Sequence, residues 1–327
     1  MNGRTSLPEL NDWQQRGQRF LYRGHAIFFA QSNASLPGES GTQRETVLLI
    51  HGFPTASWDW SSVWPMLATR FNLIAPDLMG FGFSAKPADY DYCIHDQATM
   101  CEALLAHAGI SEYHVLAHDV GDTVAQELLA RNTLRESGLR PRLKSVCFLN
   151  GGLFPETHRP RMVQRLLLSP IGRWMAGMTT KEKFAVNMLA ISGAASPPTT
   201  AEIDGFWQLI MNNDGLKIFH KLIRYMRERR IFRDRWVGAL EQTGVANTIP
   251  IPMRLINGAA DPISGAHMAA RYRELVPAAD CILLNGIGHY PQVEAPALVA
   301  DLFLNFHDTR VAVPDSSELK SSRRANP

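Results

Sequence analysis

The chain of 327 residues is long enough to bury a large core, as one large domain or as two ordinary ones. Apolar residues make up 45% and charged residues 20%, which is typical of folded globular proteins and excludes fibrous and disordered classes. The formal charge of +2 indicates no strongly acidic or basic partner. The sequence contains neither a membrane-spanning apolar stretch nor a secretory signal, so we expect a cytoplasmic protein without a membrane partner.

The four cysteines are scattered and lack the spacing of a metal site. We therefore expect free thiols and no bound metal. The segment GFGFSA at residues 80–85 matches a dinucleotide-binding fingerprint, but Pro87 interrupts the helix that should follow it. We expect no cofactor.

Apolar runs alternate with helix-length segments along most of the chain. Two short runs, RFLYRG and AIFFAQ, predict an N-terminal hairpin. Six stronger runs predict buried strands: VLLIHG, NLIAPD, YHVLAH, LKSVCFLN, MRLING and CILLN. Helices are predicted to begin near Trp58, Ile94, Val120, Gly265 and Pro291. This alternation predicts a doubly wound α/β core with a mostly parallel sheet.

The alternation stops between Gly151 and about Pro250, where helical periods replace strand runs. We interpret this stretch as an inserted helical cap, placed above the carboxyl ends of the strands where ligands bind in such sheets. The predicted organisation is core at 1–151, cap at 152–248, core again at 249–308 and a polar tail at 309–327.

A strand-to-helix turn at Ala117-His118-Asp119-Val120-Gly121 is the main candidate for chemistry. Small residues two before and two after Asp119 suit a tight turn that lifts one side chain above the sheet. The helix that follows favours negative charge at this position. Asp119 could instead only cap that helix.

Other catalytic groups follow the predicted strands, which favours the catalytic interpretation of Asp119. HGFP at 51–54 places the N–H of Phe53 as one oxyanion donor, with Val120 N–H as the other. Asp261 follows MRLING, and His289 follows CILLN. Ser84 and Ser264 lack the second glycine of such a turn, so no serine competes as a nucleophile.

The combination of HGFP, AHDVG, GAADP and GIGHYPQVE resembles the epoxide hydrolase and haloalkane dehalogenase branch of the α/β-hydrolase superfamily. Within it, HGFPTASWDW, NGGLFPETHRP and RRIFRDRWVGAL are similar to the subfamily of the mesoderm-specific transcript protein and its bacterial relatives. The resemblance runs from about Trp13 to Phe306. It implies a hydrolase with an Asp119–His289–Asp261 triad and, without the anchor of the vertebrate members, a soluble relative.

An aspartate nucleophile is ionised at neutral pH and suits attack on a saturated carbon that bears a leaving group. Epoxides and haloalkanes are such substrates, so we expect a small apolar electrophile with water as co-substrate. His289, oriented by Asp261, would activate water to hydrolyse the ester on Asp119.

The group that would assist the departing atom distinguishes the two candidate reactions. Tyr225 in the cap could protonate an epoxide oxygen or could only pack the core of the cap, whereas the side chains of Val120 and Phe53 cannot donate to a halide. Epoxide hydrolysis is therefore the leading hypothesis, a dehalogenase the second, and a binding protein without turnover the third. The further residues predicted to contact substrate are His51, Pro54, Trp207 and His158.

Six arginines between Arg224 and Arg235 form a basic run that could suggest nucleic acid. Acidic residues are interleaved with them, so we predict a solvated cap face and no nucleic-acid partner. The sequence is compatible with a monomer or a homodimer.

Overall fold

Eight strands form one sheet in the computed structural model, which describes residues 7–32, 44–133, 141–241 and 251–311. The strands are β1 Gly17–Tyr22, β2 His25–Gln31, β3 Thr46–Ile50, β4 Asn72–Pro76, β5 Glu112–His118, β6 Arg142–Leu149, β7 Met253–Gly258 and β8 Asp280–Leu284. All of the runs predicted as strands are strands.

The sheet order is β1-β2-β4-β3-β5-β6-β7-β8. The N-terminal hairpin pairs antiparallel, β2 pairs antiparallel with β4, and all later pairs are parallel. Every residue of β3 is buried, and in β5 only Glu112 is exposed, as expected for central strands covered on both faces. The carboxyl ends of β3, β5, β6, β7 and β8 therefore meet at one edge.

Helices flank this sheet and extend over one edge. Those before β6 are α1 Leu10–Arg16, α2 Trp64–Leu67, α3 Ile94–His107 and α4 Val120–Thr133. Between β6 and β7 lie α5 Met162–Leu167, α6 Gly172–Gly177, α7 Lys181–Leu189, α8 Thr200–Met211, α9 Phe219–Leu222, α10 Tyr225–Ile231 and α11 Arg233–Glu241. The last are α12 Ala266–Leu275, α13 Pro291–Glu294 and α14 Pro296–Phe306. We call the segment 152–241, which contains α5 to α11, the cap.

The helix predicted at Trp58 is wrong in form. A 3-10 turn at Ser57–Trp60 and the single-turn helix α2 stand in its place. Pro65 lies in the first turn of α2 and lacks the N–H that a continuous helix would donate to the preceding turn. The break keeps this segment short and close to the end of β3.

Polar contacts from several cap residues attach the cap to the core, among them those made with Lys86 and His289. The ammonium of Lys86 donates to the carbonyl oxygens of Gly82 in the core and of Leu209 and Asn212 in the cap, at 2.8, 2.9 and 2.6 Å. The N–H of His289 donates to the carbonyl oxygen of Ile191 in the cap at 2.8 Å. The cap therefore stands directly above the loop that carries His289.

Within the described ranges, no helix is long and apolar enough to cross a membrane. The four cysteines are free thiols, and Cys101 and Cys147 are buried. The predicted C-terminal boundary of the cap and most of the polar tail lie outside the described residues.

Candidate active site

Asp119 occupies the turn between β5 and α4 with a left-handed backbone, at φ 47°. Its N–H donates to the carbonyl oxygen of Leu149 in β6 at 3.2 Å. A Cβ on Gly121 would lie 2.3 Å from the carbonyl oxygen of Ile50. Only glycine allows this close approach of α4 to β3, so the turn requires the small residue that the motif supplies.

Asp119 is buried, with 4% of the residue exposed. Its carboxylate lies beside the N–H group predicted to hold an oxyanion. The N–H of Phe53 donates to its Oδ2 at 3.1 Å. Val120 is the first residue of α4, so its N–H has no partner within the helix. Burial acts to raise the pKa of Asp119, but the charges of His289 and Arg229 outweigh it and the net pKa is lowered. The carboxylate is therefore held ionised in a buried place.

His289 and Asp261 meet at the carboxyl ends of β7 and β8. Asp261 Oδ2 lies 2.8 Å from His289 Nδ1, and it also accepts from Ser264 Oγ at 2.8 Å and Asn150 Nδ2 at 2.9 Å. Burial works against the charged form of Asp261, but His289 and these donors lower its pKa to about 2. The carboxylate thus fixes the proton on His289 Nδ1 and leaves Nε2 to act as a base.

The protonation of His289 depends on both carboxylates of the site. Burial acts to lower its pKa, while the charge and hydrogen bond of Asp261 and the charge of Asp119 raise it to a net value above 6.5. His118 Nε2 lies 2.8 Å from the carbonyl oxygen of His289 and anchors this loop to the end of β5. Neutralising Asp119 would therefore make His289 a more available base.

The cap brings Tyr225 to the same carboxylate. Its hydroxyl donates to Asp119 Oδ2 at 3.5 Å, and its ring lies 6.1 Å from that of Phe53. Burial, followed by the charge of Asp119, raises the pKa of Tyr225 well above 10. The phenol is therefore a neutral donor over the whole physiological pH range.

Arg229, which sequence analysis assigned to a solvated face, is 2% exposed and lies inside the site. Its Nη2 donates to the carbonyl oxygen of Asp119 at 2.9 Å and lies 3.5 Å from Oδ1, while Nε donates to Thr123 Oγ1 at 2.7 Å. The guanidinium stands 4.6 Å from the centre of the Tyr225 ring. The prediction was wrong for this residue because its side of α10 faces the core. Its spacing of four from Tyr225 was the available signal.

Asn150 is a second residue that sequence analysis missed. It follows β6 at φ 44°, donates to Asp261, and accepts from the N–H of Gly258 at 2.7 Å. The signal in the sequence was a polar residue at the end of an apolar run. Asn150 fixes the acid of the His289–Asp261 pair to its neighbouring strand.

Three of the residues predicted to contact substrate do not line the cavity of about 220 Å³ that reaches His289. His51 accepts from the N–H of Leu78 through Nε2 and faces the carbonyl oxygen of Gly52 through Nδ1, so both nitrogens are used by backbone. Trp207 packs against Phe184 with ring centres 6.0 Å apart and is not among the residues that line the cavity.

His158 also lies outside the wall of that cavity, close to Arg229. Burial, followed by the charge of Arg229, lowers its pKa to about 3, so it is uncharged at neutral pH. Its Nε2 is buried and has no hydrogen-bond partner among the described residues. Pro54, in contrast, lines that cavity.

A cavity of about 220 Å³ leads from the cap surface to His289. Its wall is predominantly apolar and includes Phe53, Pro54, Leu167, Phe184, Met188 and Phe219. A small electrophile without charge would fit this lining better than a polar one.

One cluster in the described part of the chain has the residue types of a metal site. Glu45, His114 and His307 place their ligand atoms within 4.8 Å of one another, before β3, at the start of β5 and after α14. Arg70 Nη2 donates to His307 Nδ1 at 3.1 Å, which leaves the proton of the neutral ring on Nε2, facing Glu45. In this tautomer Nε2 of His307 has no lone pair for a cation.

A family model described as the alpha/beta hydrolase fold matches residues 45–296, so the chain belongs to this family of hydrolases. The mesoderm-specific transcript protein of Mus musculus is 39% identical over 309 residues, covering 91% of this chain and 88% of that protein. The protein LipZ of Mycobacterium tuberculosis is 34% identical over 298 residues, covering 91% and 98%. The predicted resemblance is confirmed.

Solved structures with the same fold include enzymes of both predicted classes. The epoxide hydrolase CorEH has a TM-score of 0.69 at 18% identity, covering 89% of this chain and 98% of that one. The DbeA-M1 loop variant of a haloalkane dehalogenase from Bradyrhizobium elkanii has a TM-score of 0.70 at 21% identity, covering 94% and 99%. At these identities the similarity establishes the fold only, and the substrate has to be inferred from the residues of the site.

Proposed function

We propose that the protein hydrolyses epoxides to diols through an ester on Asp119. The observation that carries the proposal is the environment of this carboxylate. It is buried and ionised, it accepts from the N–H of Phe53, and it lies next to the neutral phenol of Tyr225. A carboxylate in this state is a nucleophile without a base, and the phenol supplies the proton that an opening epoxide requires.

In the first step, Asp119 Oδ1 attacks an epoxide carbon while Phe53 N–H holds Oδ2. The C–O bond of the ring breaks, and the departing oxygen takes the proton of Tyr225. The electron pair of the O–H bond stays on the phenolate, over which the Arg229 guanidinium stands at 4.6 Å. A cation over an aromatic ring stabilises added negative charge, so Arg229 supports the phenol as an acid.

In the second step, His289 removes a proton from water, and the resulting hydroxide adds to Cγ of Asp119. The N–H groups of Phe53 and Val120 hold the oxyanion, and each such donor contributes about 3 to 4 kcal/mol to barrier lowering. The bond from Cγ to the ester oxygen then breaks, and the departing alkoxide takes the hydroxyl proton of the tetrahedral intermediate, which releases the diol and restores the Asp119 carboxylate. The proton on His289 restores the phenol of Tyr225, which completes the cycle. The ester has no charge on Asp119, so the pKa of His289 is lower at the moment when it must act.

A dehalogenase is the second candidate, and Arg229 is the observation that favours it. The sequence offered no side-chain donor for a halide at Val120 or Phe53. The structure adds a buried guanidinium whose Nη1 has no hydrogen-bond partner among the described residues. Halide release from a panel of haloalkanes distinguishes the two reactions, since an epoxide releases no ion.

The test of the proposal is single turnover in water labelled with oxygen-18, using enzyme in excess over a mixture of apolar epoxides. If Asp119 is the nucleophile, the label enters the Asp119 carboxylate and the first diol carries unlabelled oxygen from the protein. Peptide mass spectrometry after digestion locates the label.

Two variants complete this experiment. Asp119→Asn should lose diol formation. Asp122→Asn is the matched control, because Asp122 is buried three residues further on and burial raises its pKa well above the usual range. Burial favours the neutral form of that carboxyl, which asparagine mimics, so the variant should retain turnover. Label found in the diol of the first turnover would show direct attack by water and would refute the proposal, as would full activity of Asp119→Asn.

A further inference from the structure

The cap exposes a cluster of large apolar side chains. Ten such side chains are exposed in the described ranges, and six of them lie within residues 162–189, which are about a tenth of those ranges. We call these six the mouth face: Met162, Ile171, Trp174, Met178, Val186 and Leu189. Trp174 and Val186 are each 65% exposed, although burying them would be favourable. Exposed apolar patches of this kind mark interaction surfaces.

The mouth face belongs to three short helices and the residues that cap one of them. Ile171 and Met178 are the N-cap and C-cap of α6 and follow an i, i+3, i+7 spacing with Trp174, while Val186 and Leu189 are three apart on α7. Met162 opens α5. The preceding residue, Arg161, donates from Nη1 to the carbonyl oxygen of Ala190 at the end of α7, at 3.4 Å.

The same three helices form the entrance of the cavity that leads to His289. Val163 of α5, Met175 of α6 and Asn187 of α7 line it, each directly beside a member of the mouth face. Met178 belongs to both surfaces. An apolar compound that reaches the mouth face is therefore already at the entrance to the site.

The segment is also strongly basic. Residues 159–190 contain six cations and a single acid, Glu182, for a formal charge of +5, whereas the whole chain carries only +2. The cations are Arg159, Arg161, Arg165, Arg173, Lys181 and Lys183. Among them, Lys181 forms an ion pair with Asp204 of α8. Apolar and aromatic side chains interleaved with cations are characteristic of segments that lie in the interface of an anionic bilayer.

We propose that the mouth face docks on the surface of an anionic phospholipid bilayer, and that apolar substrate enters the cavity from the lipid. A second copy of this chain is a poorer occupant, because face-to-face pairing would bring two segments of charge +5 together. The bilayer satisfies both properties of the surface, since its headgroups neutralise the cations and its acyl region accepts Trp174 and the aliphatic side chains. The sequence-based expectation of no membrane partner considered only spanning and secretory segments, and the proposal revises it.

Docking is independent of the reaction proposed above, while the supply of substrate rests on that reaction. The experiment is flotation of the full chain with vesicles of phosphatidylglycerol and phosphatidylcholine mixed, or of phosphatidylcholine alone. We expect binding to the anionic vesicles that weakens in about 0.5 M salt, because screening shortens the reach of surface charge. Asp119→Asn should bind like the wild type, so failure of the reaction and failure of docking are distinguishable.

Variants locate the surface. The pair Trp174→Gln and Val186→Gln should weaken vesicle binding about tenfold or more, because two large apolar side chains no longer enter the interface. The matched control is the pair Leu21→Gln and Leu298→Gln, which changes exposed apolar residues of the core. Replacing Arg165 and Arg173 by glutamine should weaken binding about fivefold for each charge removed.

Three outcomes would overturn the proposal. The first is no binding to anionic vesicles at low salt, and the second is an equal loss of binding in the core control. The third is a dimer in sedimentation equilibrium that the Trp174→Gln and Val186→Gln pair dissociates, since the mouth face would then be a subunit interface. A blue shift of fluorescence on vesicle addition that disappears in Trp174→Phe would confirm that this side chain enters the lipid.

Discussion

Replacing Tyr225 by phenylalanine removes one hydroxyl and leaves the ring in place. That hydroxyl donates to Asp119 Oδ2 at 3.5 Å, while the ring packs 6.1 Å from Phe53 and 4.6 Å from the Arg229 guanidinium. Phenylalanine keeps the packing of the ring. The variant therefore tests proton donation, with folding and substrate binding expected to remain close to wild type.

The size of the effect follows from the role of the proton. A positioned general acid contributes about 10²- to 10⁴-fold, equivalent to about 3 to 5 kcal/mol in the barrier. An epoxide oxygen leaves as an alkoxide and needs that proton, whereas a halide leaves as a stable anion. Ester formation from epoxides should therefore slow by about 10²- to 10⁴-fold in Tyr225→Phe. Any ester formation from a haloalkane should change by less than about tenfold.

The assay is rapid quench and intact mass spectrometry in a His289→Gln background, where the ester on Asp119 accumulates. Burial and the charge of Asp119 hold the pKa of Tyr225 well above 10. The rate of ester formation in the His289→Gln parent, which retains Tyr225, should therefore stay flat from neutral pH to about pH 10.

Tyr272→Phe is the control for Tyr225→Phe, because Tyr272 is buried and its hydroxyl has no hydrogen-bond partner in the described part of the chain. The reasoning is refuted if Tyr225→Phe forms the epoxide ester within about threefold of the parent rate. It is also refuted if epoxide and halide reactions slow equally.

Three further predictions concern the groups around the carboxylate. Arg229→Gln breaks the buried pair with Asp119 and should lower the free energy of unfolding, measured by urea denaturation, by about 3 to 5 kcal/mol. The control Arg230→Gln changes an exposed neighbour and should lower it by less than about 0.5 kcal/mol. His289→Gln should carry the mass of one substrate on Asp119 after incubation with epoxides, and unmodified protein would argue against an ester. The pKa of Asp261 near 2 lies below its unfolded value of about 3.9, so it stabilises the fold above pH 4 by about 2 to 3 kcal/mol. That contribution should be lost as pH falls toward 2, and between pH 4 and pH 2 Asp261→Asn should lose about 2 to 3 kcal/mol less stability than the wild type.

The strands and the turn at Asp119 could be predicted because their causes are local. A strand covered on both faces must be apolar at every position, and β3 and β5 come close to this. The turn needs a small residue where α4 approaches the carbonyl oxygen of Ile50, and Gly121 is visible in the sequence as that requirement. The helix predicted at Trp58 failed where one residue, Pro65, interrupts an otherwise suitable pattern.

The errors concern the direction in which a side chain points. His51 lies two residues before Phe53, yet its ring is engaged by the backbone of Gly52 and Leu78 and does not line the cavity. In the basic run of the cap, Arg224 pairs at the surface with Asp91, while Arg229 is buried against Asp119. Both are arginines of the same basic run, so the sequence does not distinguish them. The difference is that Arg229 lies on the side of α10 that packs against the core.

The sequence alone therefore determined the class of fold and offered Asp119, His289 and Asp261 as candidates, because strand ends and tight turns follow from short-range sterics and hydrophobic pattern. Only the tertiary structure decided that Arg229 and Tyr225 share the buried carboxylate, that Asn150 holds Asp261, and that the apolar and basic surface of the cap surrounds the cavity entrance. Those arrangements depend on how the cap docks over the sheet, and contacts between segments a hundred residues apart leave no local pattern in the chain.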